Sequence, residues 1–126
     1  NLSKTIKEIS RVLKADGKLI IGVPNYKSWD AEFYKEFWAA WDVPIHLWHF
    51  SEKTIKRVFK KYNLILNEKK GMVFDAYYIS IISEEFKSGK KNLLKSILIG
   101  LISNTVGFFS KKGYSSQIYV FKFKKT

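Results

Sequence analysis

Two histidines and an aspartate lie close together in an aromatic segment near the middle of the chain. His46 and His49, the only histidines of the 126-residue sequence, are three residues apart, and Asp42 precedes them. Near neutral pH a histidine can accept or deliver a proton, and a nearby carboxylate can orient its ring. The segment predicts either a general base or substrate-binding histidine at a pocket rim, or a packing loop whose rings hydrogen-bond to the backbone.

A metal site is the other chemistry that these three side chains could perform. Histidine nitrogens and carboxylate oxygens both bind transition metals, but a structural or catalytic site needs three or four protein ligands. The chain has no cysteine and no third histidine to complete such a set around Asp42, His46 and His49. We therefore predict no bound metal.

Asn25 is a second candidate position. It follows Pro24 at the end of the apolar run 18–23, whose β-branched, unalternating residues predict a strand that is buried on both faces. Ligands of open α/β sheets bind beyond the carboxyl ends of the strands. Asn25 would present its amide to a ligand there, or else serve as a turn residue after the proline.

The elements that must position these side chains follow from the spacing of apolar residues. Apolar residues at three- and four-residue intervals predict helices, and short apolar runs between turn residues predict strands. Residues 76–86 are compatible with either. The predicted helices cover 3–14, 29–40, a segment beginning at Ser51, and 93–106, and the predicted strands cover 18–23, 64–68 with an optional extension to 72–74, and 118–123.

Short polar residues and glycine mark the ends of several of these elements. Ser3, Ser28 and Ser51 are suited to cap helix N-termini, and Gly17 is suited to the left-handed residue that ends a helix. The first helix leads directly into a strand that reads as buried, which is typical of an α/β sheet. We therefore predict an α/β fold in one domain that covers residues 1–126.

Charge favours a basic surface but gives little support to a nucleic-acid partner. The 23 basic and 11 acidic residues give a net charge of +12, yet only Arg11 and Arg57 are arginines. Arginine is the usual reader of phosphates and base edges. The 46% of hydrophobic residues exclude a disordered chain, and the absence of cysteine excludes a disulfide scaffold. We expect neither nucleic acid nor a membrane surface to be the partner.

The predicted helix 93–106 contains fewer than the ~20 apolar residues that a membrane span requires. It could lie on a membrane surface, but we expect it to be buried against the sheet. The alternative function is a non-enzymatic basic module that binds nucleic acid or an anionic membrane through the lysines of 53–61 and 90–112. The lysines at the ends of the helix are Lys90, Lys91, Lys111 and Lys112.

Several motifs resemble those of one enzyme family. Residues 11–21 (RVLKADGKLII) resemble the RVLKPGG-x-L-x-I passage of class I S-adenosylmethionine-dependent methyltransferases, which joins a helix to the fifth strand. Residues 24–25, followed by 41–54 (WDVPIHLWHFSEKT), are similar to the P-N and W-x-x-D-x-P-x-H-L-x-H-F-S-x-x-T-L patterns of the type 11/type 23 branch, with Ile55 in place of leucine. Residues 114–120 resemble the family's last strand.

This resemblance implies a partial Rossmann-like sheet, with flanking helices and an antiparallel last strand. It also implies methyl transfer from S-adenosylmethionine in a full-length enzyme, of which residues 1–126 would be the carboxyl-terminal half. The family's cofactor-binding motifs, a glycine-rich loop and an acidic residue after the early strands, have no counterpart here. We therefore expect this chain alone to bind no cofactor and to be inactive.

The resemblance assigns residues only on the substrate side. Asn25, Asp42, His46 and His49 would face the methyl acceptor, a small molecule or macromolecule that the sequence does not identify. Because the sulfonium is already activated, the enzyme would need to align the acceptor and remove its proton, with His46 or His49 as the base. The tryptophans that could form the pocket walls are Trp29, Trp38 and Trp48.

The sequence opens inside a predicted helix and has no signal peptide, so we expect a piece of a longer, cytoplasmic bacterial protein. Half of a parallel sheet would leave the strand 18–23 with an unpaired apolar edge. We expect the isolated chain to cover that edge by self-association.

Overall fold

The computed structural model describes residues 1–124 and shows a mixed α/β architecture. Most helices are joined to the next element by short turns, and two short 3₁₀ turns follow the second helix. The helices are α1 (Leu2–Val12), α2 (Trp29–Tyr34), α3 (Glu52–Lys60), α4 (Asp75–Ser88) and α5 (Leu93–Phe109), and the strands are β1 (Leu19–Pro24), β2 (Leu64–Gly71) and β3 (Ser116–Phe123).

The three strands form one sheet in the order β1-β3-β2. The last strand lies in the centre and runs antiparallel to both neighbours, pairing Leu19 with Phe121 and Leu64 with Phe123. The predicted antiparallel last strand is therefore confirmed. β1 and β2 run parallel to each other and form the two edges of the sheet within the described residues.

The prediction that β1 is buried on both faces is wrong. Its burial alternates along the strand, and the side chain of Ile20 is 65% exposed. Leu19, Ile21 and Val23 face a core formed by α1, α3 and the strands, around Phe121. The opposite face of β1 is open at Ile20, because no strand residue belongs to the second buried cluster.

Two separate cores stabilise the fold. In the first, Phe59 of α3 stacks on Phe121 of β3, with ring centroids 4.6 Å apart. Tyr119 is also buried there, and this burial raises the pKa of its hydroxyl. The second core consists of α2, α4, α5 and the 3₁₀ turns, around Tyr34 and Trp38. The candidate site lies where these two halves meet.

The helix caps agree only in part with those predicted from the sequence. Ser28 caps α2 and Ser51 caps α3 as predicted, the latter in a capping box with Thr54. The cap of α1 is Asn1 rather than Ser3, and the helix ends in an extended residue before Gly17, which is not left-handed. The predicted helix 29–40 breaks after Tyr34 into the two 3₁₀ turns.

The second half of the chain contains two long helices, α4 and α5. The ambiguous residues 76–86 belong to α4, and α5 extends the predicted helix 93–106 to Phe109. The extension of the second strand to 72–74 is wrong, because β2 ends at Gly71. α5 packs against α4 and α2 instead of the sheet, so its predicted burial against the sheet is also wrong. Within residues 1–124, no helix is both long and apolar enough to cross a membrane.

Candidate functional site

Asp42 and His46 form the polar part of the candidate site. Asp42 has left-handed backbone angles (φ 37°, ψ 47°) at the end of the second 3₁₀ turn, and its carbonyl accepts the backbone N–H of His46 at 2.9 Å. This turn brings the Asp42 carboxylate within 3.3 Å of His46 Nδ1, without the alignment of a hydrogen bond. The carboxylate and the imidazole therefore lie side by side, although no hydrogen bond joins them.

The two residues line an apolar cleft of about 570 Å³, a volume in the range of small-molecule sites. One wall is the carboxyl end of β1 from Gly22 to Pro24. The other wall is α4, whose cleft-facing side chains are mostly apolar. The side chains contributed by α4 are Asp75, Tyr78, Ile79, Ile82 and Phe86. A ligand of this cleft would therefore bury mostly apolar surface and meet a few polar groups, Asp42 and His46 among them.

His49 lies outside this cleft and supports the loop. Its Nε2 atom is 2.8 Å from the carbonyl oxygen of Trp41, and its ring meets the Trp41 indole edge-on at 4.9 Å. Because a carbonyl can only accept, Nε2 carries the proton and Nδ1 is the only ring nitrogen free to act as a base. This is the backbone-bonded arrangement that the sequence left open, and it favours His46 as the proton acceptor.

The structure does not gather the candidate tryptophans around the cleft. Trp38 is 1% exposed, and its indole N–H donates to Asp30 at 2.7 Å. Trp29 stacks on Phe33 with centroids 5.3 Å apart. Trp48 is 55% exposed and lines a different hollow, beside α1 and α3. The walls of the cleft come instead from α4, which the sequence left undecided between helix and strand.

Asn25 is buried and holds the loop that precedes β3. Its side-chain Nδ2 donates to the carbonyls of Lys112 (2.7 Å) and Tyr114 (3.0 Å), and its Oδ1 accepts the N–H of Lys27 (3.1 Å). The loop approaches closely at Gly113, which has φ +77°, and a Cβ there would clash with Gln117. Both amide hydrogens are therefore already used inside the protein.

A second cleft, of about 490 Å³, lies beside Asn25 and is lined by lysines from three parts of the chain. Glu52, at the start of α3, is the acidic residue in its lining. The Lys69 ammonium, 2.6 Å from the Glu52 carboxylate, lowers the pKa of that carboxyl, and Lys56 adds to the effect. Sequence spacing could not reveal this cleft. The lysines that line it are Lys27, Lys53, Lys56, Lys111 and Lys112.

Asp30 is a buried carboxylate that the sequence analysis did not identify. It is fully buried and accepts hydrogen bonds from Trp38 Nε1 (2.7 Å), Ser103 Oγ (2.7 Å) and Ser115 Oγ (2.6 Å). These donors link α2 to the residue between the two 3₁₀ turns, to α5 and to the loop before β3. The only local signal is a polar residue two positions after a serine cap. We therefore interpret Asp30 as structural.

Metal binding finds no support in this geometry. Residues 1–124 contain no cluster of three or more His, Cys, Asp or Glu side chains suited to hold a metal ion. Asp42 and His46 adjoin each other, whereas His49 is turned toward the Trp41 carbonyl.

Comparisons with models of known protein families, with curated protein sequences and with solved structures gave no match to the chain.

Proposed function

We propose that this chain is the acceptor-binding portion of an S-adenosylmethionine-dependent methyltransferase of Rossmann-like fold, working in the cytoplasm. The observation that carries the proposal is the apolar cleft at the carboxyl end of β1, with Asp42 and His46 on its rim. In an open α/β sheet this is the edge at which ligands bind. A mostly apolar acceptor would enter the cleft, and His46 would take up the proton that the acceptor loses on methylation.

Neither of the two clefts is suited to the cofactor, so we expect residues outside this chain to bind it. S-adenosylmethionine carries a positive sulfonium, which the five lysines of the second cleft would repel. The apolar cleft is needed for the acceptor. When bound by a longer protein, the cofactor supplies an already activated methyl group, so this chain's task would be to orient the acceptor and accept a proton.

The open edge of β1 supports the same proposal. Residues 19–23 are all apolar or glycine, whereas the opposite edge strand, β2, carries Lys69 and Lys70. Charged side chains protect an edge strand from further pairing, and an apolar edge invites another strand. We propose that the sheet of a longer domain continues at β1, and that a second copy pairs there when the chain is alone.

The decisive experiment begins with the coding sequence upstream of Asn1. The proposal predicts a strand, a glycine-rich turn and a helix there, followed about 20 residues later by an acidic residue. The longer protein should bind S-adenosylmethionine in equilibrium dialysis, and the 126-residue chain should not. A start codon directly before Asn1, or an unrelated domain, would refute the proposal.

Methyl transfer by the longer protein then tests the role of His46. With tritiated S-adenosylmethionine and a cell extract of the source organism as the acceptor pool, His46→Gln should lower incorporation by about 10²-fold or more. His49→Gln is the matched control, because its amide can still donate to the Trp41 carbonyl. An equal loss in both variants would contradict the assignment of His46.

The lysine-lined cleft favours a second candidate function, the binding of a phosphate-rich polymer such as nucleic acid. Five lysines around one cleft give a local positive potential that attracts anions. If this is the function, affinity for single-stranded RNA should fall steeply and linearly with the logarithm of salt concentration. Lys53→Gln with Lys111→Gln should reduce the slope by about 1.4, or about 0.7 for each lost phosphate contact on a single strand. Retention that is feeble even at low salt would exclude this candidate.

A further inference from the structure

The outer face of α5 has the opposite polarity from that of an ordinary surface helix. A surface helix normally buries its apolar stripe and exposes its polar residues. On α5, large apolar side chains occupy one side of the helix and are between 46% and 82% exposed, with Thr105 as the polar interruption. We refer to this surface as the outer face of α5. Its members are Leu93, Leu94, Ile97, Leu98, Leu101 and Phe108.

The inner face of α5 fixes this orientation. Ser103 donates to the buried Asp30 carboxylate at 2.7 Å, and Ser96 Oγ lies 3.3 Å from the Ser80 carbonyl of α4. At Gly100, a Cβ would lie 2.5 Å from the ring of Tyr77. A rotation that buried the leucines would break the bond to Asp30 and drive larger side chains into α4. The packed side of α5 thus requires small and polar residues, and the large apolar residues are left on the outer face.

Positive charge borders the outer face at both ends. Two groups of lysines, before and after the helix, bracket it, and Lys95 lies in its first turn, paired with Glu84 at 2.9 Å. No aspartate or glutamate occurs in residues 86–126, although Lys91 pairs with Glu85 of α4 and Lys112 pairs with Glu32 of α2. α5 is 17 residues long, which corresponds to about 25 Å between the two groups. The bracketing lysines are Lys87, Lys90, Lys91, Lys111 and Lys112.

We propose that the outer face of α5 docks on the surface of an anionic lipid bilayer, with the helix axis parallel to the membrane plane. An apolar stripe with lysines beside it matches the acyl boundary and the phosphate headgroups of such a surface. A second copy fits less well, because stacking two outer faces would bring the lysine groups of both chains together. This inference does not depend on the proposed methyltransferase function.

Vesicle flotation with the 126-residue chain tests the proposal. The chain should float with vesicles of 30% phosphatidylglycerol in phosphatidylcholine, and bind pure phosphatidylcholine vesicles far more weakly. Leu98→Gln with Leu101→Gln should weaken binding to the anionic vesicles at least tenfold, because binding scales with inserted apolar area. Val12→Gln with Ile45→Gln is the matched control, since those side chains are 64% and 77% exposed elsewhere.

The lysines require a separate variant. Lys90→Gln with Lys111→Gln should weaken binding to anionic vesicles by about 25-fold, fivefold for each lysine, and leave binding to neutral vesicles unchanged. Failure of the wild-type chain to float, or equal losses in the leucine variant and its control, would overturn the proposal. So would light scattering in which the leucine variant turns a dimer into a monomer, because a second copy would then occupy the outer face.

Discussion

Replacement of Asp30 by alanine is expected to lower the free energy of unfolding by about 3 kcal/mol or more. The side chain is fully buried and accepts three hydrogen bonds, from Trp38, Ser103 and Ser115. Alanine would leave three buried donors without an acceptor, and each such group costs about 1–3 kcal/mol. The effect should be large because the donors come from separate elements, so that no small local movement can satisfy all three.

Urea unfolding followed by tryptophan fluorescence is a suitable measurement, because the buried Trp38 reports directly on this network. Glu32→Gln is the matched control, two residues along the same helix. Glu32 is exposed and pairs with Lys112, and surface pairs of this kind contribute about 0–1 kcal/mol. If the Asp30 variant unfolded at nearly the same urea concentration as this control, the carboxylate would not hold the three elements together.

The network around Asp30 also shows why part of the fold escaped sequence analysis. Its donors Ser103 and Ser115 lie 73 and 85 residues away along the chain. No local pattern links such positions. By contrast, the cap at Ser51 and the apolar spacing of α3 depend on residues that are close in sequence, and both predictions are confirmed, whereas the Thr54 half of the capping box was not predicted. Local signals thus identified elements, whereas the contacts between elements came only from the structure.

Helix α5 illustrates the same limit for solvent exposure. Its periodicity identified a helix, but periodicity cannot tell which side of a hydrophobic helix is buried. Small residues determine which side is buried. Gly100 allows the Tyr77 ring to approach, and Ser96 and Ser103 donate hydrogen bonds to buried partners. The packed side is therefore the one with small and polar residues, and the leucines are left outside.

The candidate site was predicted where its residues are close in sequence. Asp42 and His46 are four residues apart, and a single tight turn brings them together. Whether His49 is a base or a packing residue depends on what its ring contacts, and in the structure its Nε2 faces the Trp41 carbonyl. The cleft itself needed α4, which packs beside β1 only in the folded chain. The proximity of Asp42 and His46 could be expected from the sequence, but the cavity beside them could not.

Replacement of Asn25 is also expected to lower stability strongly, because its side-chain amide joins two backbone segments. Asn25→Ala is expected to lower the free energy of unfolding by about 2–3 kcal/mol. The change leaves the carbonyls of Lys112 and Tyr114 without their donor in a site where Asn25 is only 2% exposed. Thermal and urea unfolding of the ligand-free chain measure the loss.

The comparison with Asn67→Ala separates this structural role from a role in ligand binding. Asn67 is an exposed asparagine at the bulge of β2, and its replacement should change stability by less than about 0.5 kcal/mol. If Asn25 served only to contact a ligand, its variant would be as stable as the Asn67 variant when no ligand is present. A loss of 2–3 kcal/mol in the free chain instead means that Asn25 is committed to the loop before β3, which leaves the rim of the apolar cleft to Asp42 and His46.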